Sequence, residues 1–230
     1  MSEQRKLVVA IDGPAGSGKS SVARGLARRL GYSYIDTGAM YRAVAWAALR
    51  EGLDLPEDAR KIGELAGELD FDFRQTEDGQ HIFVNGRDRE WEIRKPEVGA
   101  LSSPVSAVPL VRENLLQTQR DLAAEGGVIM EGRDIGTVVL PDADVKIFLT
   151  ASARERARRR YEQIKGEHPD LTYELVLAQQ KERDQRDMNR DIAPLKKADD
   201  AIEVVTDDMT LDEVIDHIAE LVQERARTDA

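Results

Sequence analysis

Gly13-Pro14-Ala15-Gly16-Ser17-Gly18-Lys19-Ser20 is a complete G-x-x-x-x-G-K-[ST] loop, and the residues on either side agree with it. Ahead of it, Lys6-Leu7-Val8-Val9-Ala10-Ile11 is short, apolar and β-branched, the pattern of a buried strand. Behind it, Val22, Ala23, Leu26, Ala27 and Leu30 recur at helical spacing until Gly31 offers a stop. Strand, glycine-rich turn and helix in that order are the setting the loop needs. The glycines let successive backbone N–H groups turn inward, and the helix N-terminus adds partial positive charge. The eight residues, with Ser21 after them, are expected to cradle a nucleoside triphosphate. Lys19 would reach the β- and γ-phosphates, and the Ser20 hydroxyl would hold Mg²⁺.

A chain of 230 residues fits one sizeable domain, or one domain carrying an insertion. Hydrophobic residues make up 41% and charged residues 33%, which suits a globular protein rather than a disordered or membrane one. No apolar run is long enough to cross a bilayer, and no signal-peptide core follows Met1. Without cysteine there is neither a disulfide framework nor a thiolate metal site. The cytoplasm is therefore the expected location. A net charge of −11 argues against a nucleic-acid surface, because such binding rests on neutralising phosphates. One segment runs the other way: Arg154, Arg156, Arg158, Arg159 and Arg160 fall close together. On an acidic, polyphosphate-binding chain such a cluster is expected to face the polyphosphate, with some members merely solvated. Arg159 is taken as a catalytic candidate.

Outward from the loop, apolar strands alternate with amphipathic helices, the pattern of an α/β fold with a parallel sheet covered on both faces. Further strands are expected at 33–36, 127–131, 145–149 and 201–205, five in all with the first. Helices are expected near 38–50, 110–124, from 152 (Ser152 and Glu155 as a capping box), across 172–189, and from 210 (Thr210 and Glu213). Residues 61–107 break this rhythm. Asp70 to Arg74 and His81 to Gly86 alternate apolar and polar around Glu77-Asp78-Gly79, which predicts an antiparallel hairpin with one wet face. Trp91 to Pro109 follows, rich in Ser, Pro and Gly. The reading is a core of 1–60 and 108–230 with a small inserted subdomain of 61–107.

In open α/β sheets ligands bind beyond the carboxyl ends of the strands. Asp36 to Arg42, Gly132-Arg133-Asp134 and the arginines from 154 onward all stand at such ends. None of the three histidines lies in a strong motif: His81 is in the hairpin, His168 beside Pro169, and His217 on the final helix. All three read as structural or solvated. A GTPase-type Asn-Lys-x-Asp motif is absent, which weighs against a nucleotide switch. Another small-molecule P-loop kinase is the nearer rival.

Several motifs in fixed order resemble the bacterial cytidylate kinase family. They are the loop of 13–20, Asp36-Thr37-Gly38 to Arg42, Ser103 through Pro109-Leu110-Val111-Arg112, Glu131-Gly132-Arg133-Asp134-Ile135-Gly136-Thr137-Val138-Val139, and Glu182 to Arg190. The resemblance implies transfer of a phosphoryl group from ATP, with Mg²⁺, to CMP or dCMP by a monomer. It makes the 61–107 insert the monophosphate-binding domain. Separately, a hairpin domain hinged at both ends and the Gly166-Glu167-His168-Pro169 loop predict that the insert and a lid at about 154–170 close over the substrates. The resemblance assigns Arg42 and Arg133 to the CMP phosphate, Arg183 and Asp187 to the ribose, and Arg190 to the neighbourhood of the transferring group. Positions 183, 187 and 190 would share one helix face. Asp134 is implied against the cytosine amino group, with Arg112 and Ser103 donating to the ring acceptors and Tyr41 packing on the pyrimidine. Thr37 stands where serine is common and keeps the hydroxyl, whereas Pro104 departs from the family pattern.

Overall fold

A computed structural model describes residues 6–166 and 170–228. Element order is β1 (Val8–Asp12), α1 (Lys19–Leu30), β2 (Ser33–Asp36), α2 (Thr37–Arg50), α3 (Ala59–Gly67), β3 (Phe71–Thr76), β4 (Gly79–Val84) and β5 (Arg87–Asp88). Then follow α4 (Pro96–Val105), α5 (Pro109–Asp121), β6 (Val128–Gly132), β7 (Val145–Thr150), α6 (Ala153–Ile164), α7 (Tyr173–Asn189), β8 (Ile202–Val205) and α8 (Leu211–Thr228). Among the described residues the strands make a five-stranded sheet in the order β2-β6-β1-β7-β8 and a three-stranded sheet in the order β3-β4-β5. The α/β class expected from the sequence, with its separate antiparallel sheet, is what the structure has.

The chain divides into two compact units, 6–34 with 125–228, and 35–124. In the first, β1 pairs parallel with β6 and β7, and β7 with β8. Leu7, Val9, Ile11, Ile129, Ile147 and Leu149 are buried together with Leu26 of α1 and Ile218 of α8. β1, β6 and β7 are buried nearly throughout, as strands covered on both faces must be. β8 departs from that expectation. Among the described residues it is an edge strand of the sheet, and its Ile202 and Val205 remain exposed.

The helix starts follow their side chains. Thr210 and Glu213 form a complete capping box: the Thr210 hydroxyl accepts from Glu213 N, and the Glu213 carboxylate accepts from Thr210 N. At α6 only half of the expected box is made. Ser152 accepts from Glu155 N, but Asp207 takes the Ser152 amide while Glu155 turns to Arg158 and Arg159. Of the lid span, 154–164 lies in α6, whereas Glu167, His168 and Pro169 lie outside the described residues.

The second unit contains the hairpin, with β3 and β4 antiparallel and Phe71 opposite Val84. It also contains two helices that the sequence reading of 61–107 lacked. α3 buries Ile62, Gly63 and Ala66 on one face, but two glycines in nine residues hide it from propensity. α4 begins with Pro96 at its first turn and carries Pro104 without breaking, since the helix ends one residue later. The compact unit extends past 61–107 on both sides, taking in α2 and α5. His81 is buried, with its Nδ1 2.7 Å from Asp88 and its ring edge-on to Trp91, whereas His217 is exposed on α8.

Candidate active site

In the loop after β1, Gly13 cannot be anything else. Its φ is +151°, and a Cβ there would run into the Leu149 carbonyl oxygen at the end of β7. Gly18 caps α1 in a left-handed conformation, without a side-chain hydrogen bond and with no acidic residue in the first turn. The helix therefore offers its first N–H groups and the positive end of its dipole to an anion. Lys19 is 5% exposed, and its ammonium donates to Pro14 O at 2.8 Å and Ser17 Oγ at 3.4 Å, which folds it back into the loop. Burial, and next the Arg133 guanidinium, push its pKa down to about 7 against the pull of Glu131 and Asp12.

Beyond β6, the Arg133 Nε donates to Asp187 on α7 at 3.0 Å, and its Nη1 to Gly132 O at 3.2 Å. Asp134, 4% exposed, accepts from Arg190 Nη2 at 3.1 Å. The structure thus brings Arg133 to Asp187 and Asp134 to Arg190, pairs drawn from distant stretches of the chain. Arg183, Asp187 and Arg190 do not share a helix face as expected. α7 ends at Asn189, and Arg190 is its extended C-cap, with Nε donating to Ala193 O at 2.6 Å. Leaving the helix is what turns Arg190 to Asp134.

The arginine cluster sorts itself. Arg156 is 5% exposed and forks onto the buried Asp184 of α7 at 2.7 and 3.2 Å. It also donates to Ala151 O and to Ala15 O of the phosphate loop, both at 2.9 Å. Arg159 holds Glu155 at 2.8 Å and both oxygens of Thr206, while Arg154, Arg158 and Arg160 are exposed. Hydrogen bonding by Arg158 foremost, then Arg159, holds the Glu155 carboxyl down at about 2.

In the second unit, Asp36 caps α2 by accepting from Ala39 N at 3.0 Å. It also accepts from Arg42 at 2.6 Å and Arg94 at 3.4 Å. Burial alone would raise its carboxyl, but Arg42 and then Arg94 outweigh that and hold it below the usual range. Thr37 and Tyr41 are buried on α2, Ser103 on α4 and Arg112 on α5. The Arg112 guanidinium lies over the Tyr41 ring at 5.6 Å, and its Nη1 donates to Ser106 O at 3.2 Å. Tyr41 accordingly belongs to the core of this unit while presenting its ring to Arg112.

Sequence reasoning missed Asp12, Asp184 and Arg94. Asp12 alone left a legible trace, as a charge closing an otherwise apolar strand directly before the loop.

A glycine-rich loop joining strand to helix on a parallel sheet, with a buried lysine in the helix's first turn, defines the P-loop nucleotide-binding class. The family model described as Cytidylate kinase matches residues 9–224. Among curated relatives, the cytidylate kinase of Bacillus subtilis (strain 168) is 46% identical over 97% of this chain and 100% of its own length. That of Mycolicibacterium paratuberculosis (strain ATCC BAA-968 / K-10) is 52% identical over 96% of each. The chain belongs to the cytidylate kinase family, and with it to the phosphotransferases. Among solved structures, an uncharacterized protein from Eubacterium ventriosum ATCC 27560 shares the fold. Its TM-score is 0.51 at 14% identity, over 95% of this chain and 99% of its own.

Proposed function

We propose that this enzyme transfers the γ-phosphoryl group of ATP to CMP or dCMP, giving ADP and CDP or dCDP. One observation carries the reading furthest: Lys19, buried in the first turn of α1, is folded back onto the glycine loop by its hydrogen bonds to Pro14 O and Ser17 Oγ, and Arg133 follows β6, the strand beside β1. Cations set where two neighbouring parallel strands end serve anions bound beyond those ends. Phosphoryl transfer asks for that arrangement, because its barrier falls when two anionic phosphates are drawn together and the spreading charge is absorbed.

Each side chain then has a part. Lys19 and the loop amides hold the donor phosphates. Arg42 and Arg133 hold the CMP phosphate, the nucleophile, which is already largely anionic at neutral pH and needs no general base. Arg190 steadies the transferring group, and Arg183 with Asp187 takes the ribose. Arg159 is bound to Glu155 and Thr206, so serving the same group requires it to leave both. Asp134 accepts from the cytosine amino group, Arg112 and Ser103 donate to N3 and O2, and Thr37 and Tyr41 border the pyrimidine nucleotide. Uracil turns a carbonyl oxygen toward Asp134 where cytosine offers a donor, so the carboxylate rejects it.

The residues fit Mg²⁺ as well. Among the described residues no group of three or more His, Cys, Asp or Glu is set to hold a metal, and Ser20, half-buried in the first turn of α1, offers one hydroxyl. A magnesium ion here would be held by Ser20 and substrate phosphate oxygens, and would supply neutralisation across them. No helix among the described residues is long and apolar enough to cross a membrane. A cytoplasmic monomer is the form proposed.

ADP release measured with ATP, Mg²⁺ and each of CMP, dCMP, UMP, AMP, GMP and dTMP tests this. Activity concentrated on CMP and dCMP is expected. Preference for another monophosphate would discard the cytosine pocket, and no monophosphate-dependent turnover would discard the reaction.

A further inference from the structure

Asp12 is the last residue of β1, 5% exposed, and stands in register with Gly132, the residue before Arg133. Its two carboxylate oxygens are used separately. Oδ1 accepts from Ile135 N at 2.8 Å and Oδ2 from Gly136 N at 2.7 Å. Those amides open a single helical turn, Ile135–Val139, whose first N–H groups have no partner within the turn. Further on the turn ties to itself, with Val138 N and Val139 N on Asp134 O and Leu140 N on Ile135 O. Gly136 sits against both side chains: a Cβ there would be pressed to 3.2 Å from Lys146 Cδ and would be in ordinary contact, at 3.5 Å, with Asp12 Oδ2.

We propose that Asp12 is a positioning residue for the acceptor nucleotide, its carboxylate fixing the backbone that carries Arg133 and Asp134 while its own peptide leads into the phosphate loop. The inference rests on the reading that Arg133 and Asp134 handle CMP. One carboxylate thereby ties the start of the donor loop to the two residues assigned to the acceptor's phosphate and base.

The electrostatics set this residue apart from an ordinary structural acid. Burial pushes the Asp12 carboxyl up to about 6 and the charge of Asp134 adds to that, against the two amides and Lys19 of α1. Lys146 of β7 packs on Gly136 but gives its charge to Asp200, at 2.7 Å. A buried carboxylate in this position costs folding free energy at neutral pH that a neutral side chain would not. Its return is the alignment of the turn.

Kinetics of Asp12→Asn, run beside Asp134→Ala, test the proposal. Asparagine keeps the shape but sets a donor against one of the two amides. The expected result is a KM for CMP raised roughly 10-fold with the KM for ATP changed less than about 2-fold, and no loss of thermal stability at pH 7.5. In the wild type, kcat/KM for CMP should fall below about pH 6, and the fall should be shallower in the variant. CMP's own phosphate titrates near there in both proteins, so the difference between the two profiles is what counts. An unchanged KM for CMP and an unchanged profile, with Asp134→Ala impaired on CMP, would overturn the positioning role. Unimpaired CMP use by Asp134→Ala would overturn the base-site reading instead. Gly136→Ala presses the turn against Lys146 without removing the carboxylate and should give a smaller rise of the same kind. Should Asp12→Asn not fold, an unchanged KM for CMP in Gly136→Ala overturns the proposal.

Discussion

Two buried aspartates close strands in different units of this enzyme, and their surroundings push them in opposite directions. Asp12, at the end of β1, is held by backbone amides and is raised to about 6. Asp36, at the end of β2, is held by Arg42 and Arg94 and lies below its usual value. Burial is the largest influence on both, so what differs is the partner. Two neutral dipoles do not repay the desolvation of a carboxylate, whereas two guanidinium groups do. The contrast matches the tasks proposed for the two places. Asp36 would keep arginines in place, ready to exchange its carboxylate for a phosphate. Asp12 holds a turn in place beside a lysine whose charge belongs to the triphosphate.

Changing the cations tests this contrast most severely. Lys19→Ala removes the charge beside Asp12 and should lower kcat by about 100- to 1,000-fold, the scale seen when one preorganised donor to developing charge is lost. A near-normal kcat would break the account of the first unit. Arg42→Ala strips Asp36 of its nearest partner. The KM for CMP should rise roughly 10- to 100-fold with ATP binding preserved, as for the loss of one charge-assisted hydrogen bond. Equal losses for both nucleotides would show that Arg42 acts through the fold rather than on CMP.

The smallest effect, on stability, carries opposite signs. Asp36 has a depressed folded pKa, so its contribution is present above its ordinary value of 3.8 and is lost as pH falls further. Asp12 is raised, so between 3.8 and about 6 the folded protein binds more protons than the unfolded, and stability from this group declines as pH rises. Thermal unfolding of Asp36→Asn and Asp12→Asn against the wild type, extended from about pH 3 to neutrality, should therefore give differences of opposite sign of slope: Asp36 loses stability as pH falls below 3.8, and Asp12 loses it as pH rises from 3.8 to about 6. The shifts should amount to a few degrees, the scale of about 1 kcal/mol in a domain of this size. Parallel slopes would dissolve the comparison.

What could be read from the sequence follows from how local each feature is. The phosphate loop is contiguous and its flanks carry periodicity, so β1, the loop and α1 were legible down to Gly31 as the stop. The parallel sheet followed from apolar runs, although the edge position of β8 depends on strand order that no single run encodes. α3 and α4 were hidden by glycine and proline inside nine- and ten-residue helices, where packing rather than propensity decides. Which of the candidate site residues pair with one another was not legible at all. Arg190 and Asp134 lie 56 residues apart, Arg156 reaches Asp184 only because α6 and α7 pack together, and its contact with Ala15 spans 141 residues of chain. Asp12 could be seen as a charge at a strand end, but the amides that it serves come from beyond β6.

The most direct test of the central claim is the ratio of kcat/KM for CMP to that for UMP in the wild type and in Asp134→Asn. Asparagine can present an amino group to the uracil carbonyl where the carboxylate is repelled. The account predicts a strong preference for CMP in the wild type that falls at least about 10-fold in the variant, in part through improved use of UMP. An unchanged ratio would contradict the assignment of cytosine recognition to Asp134.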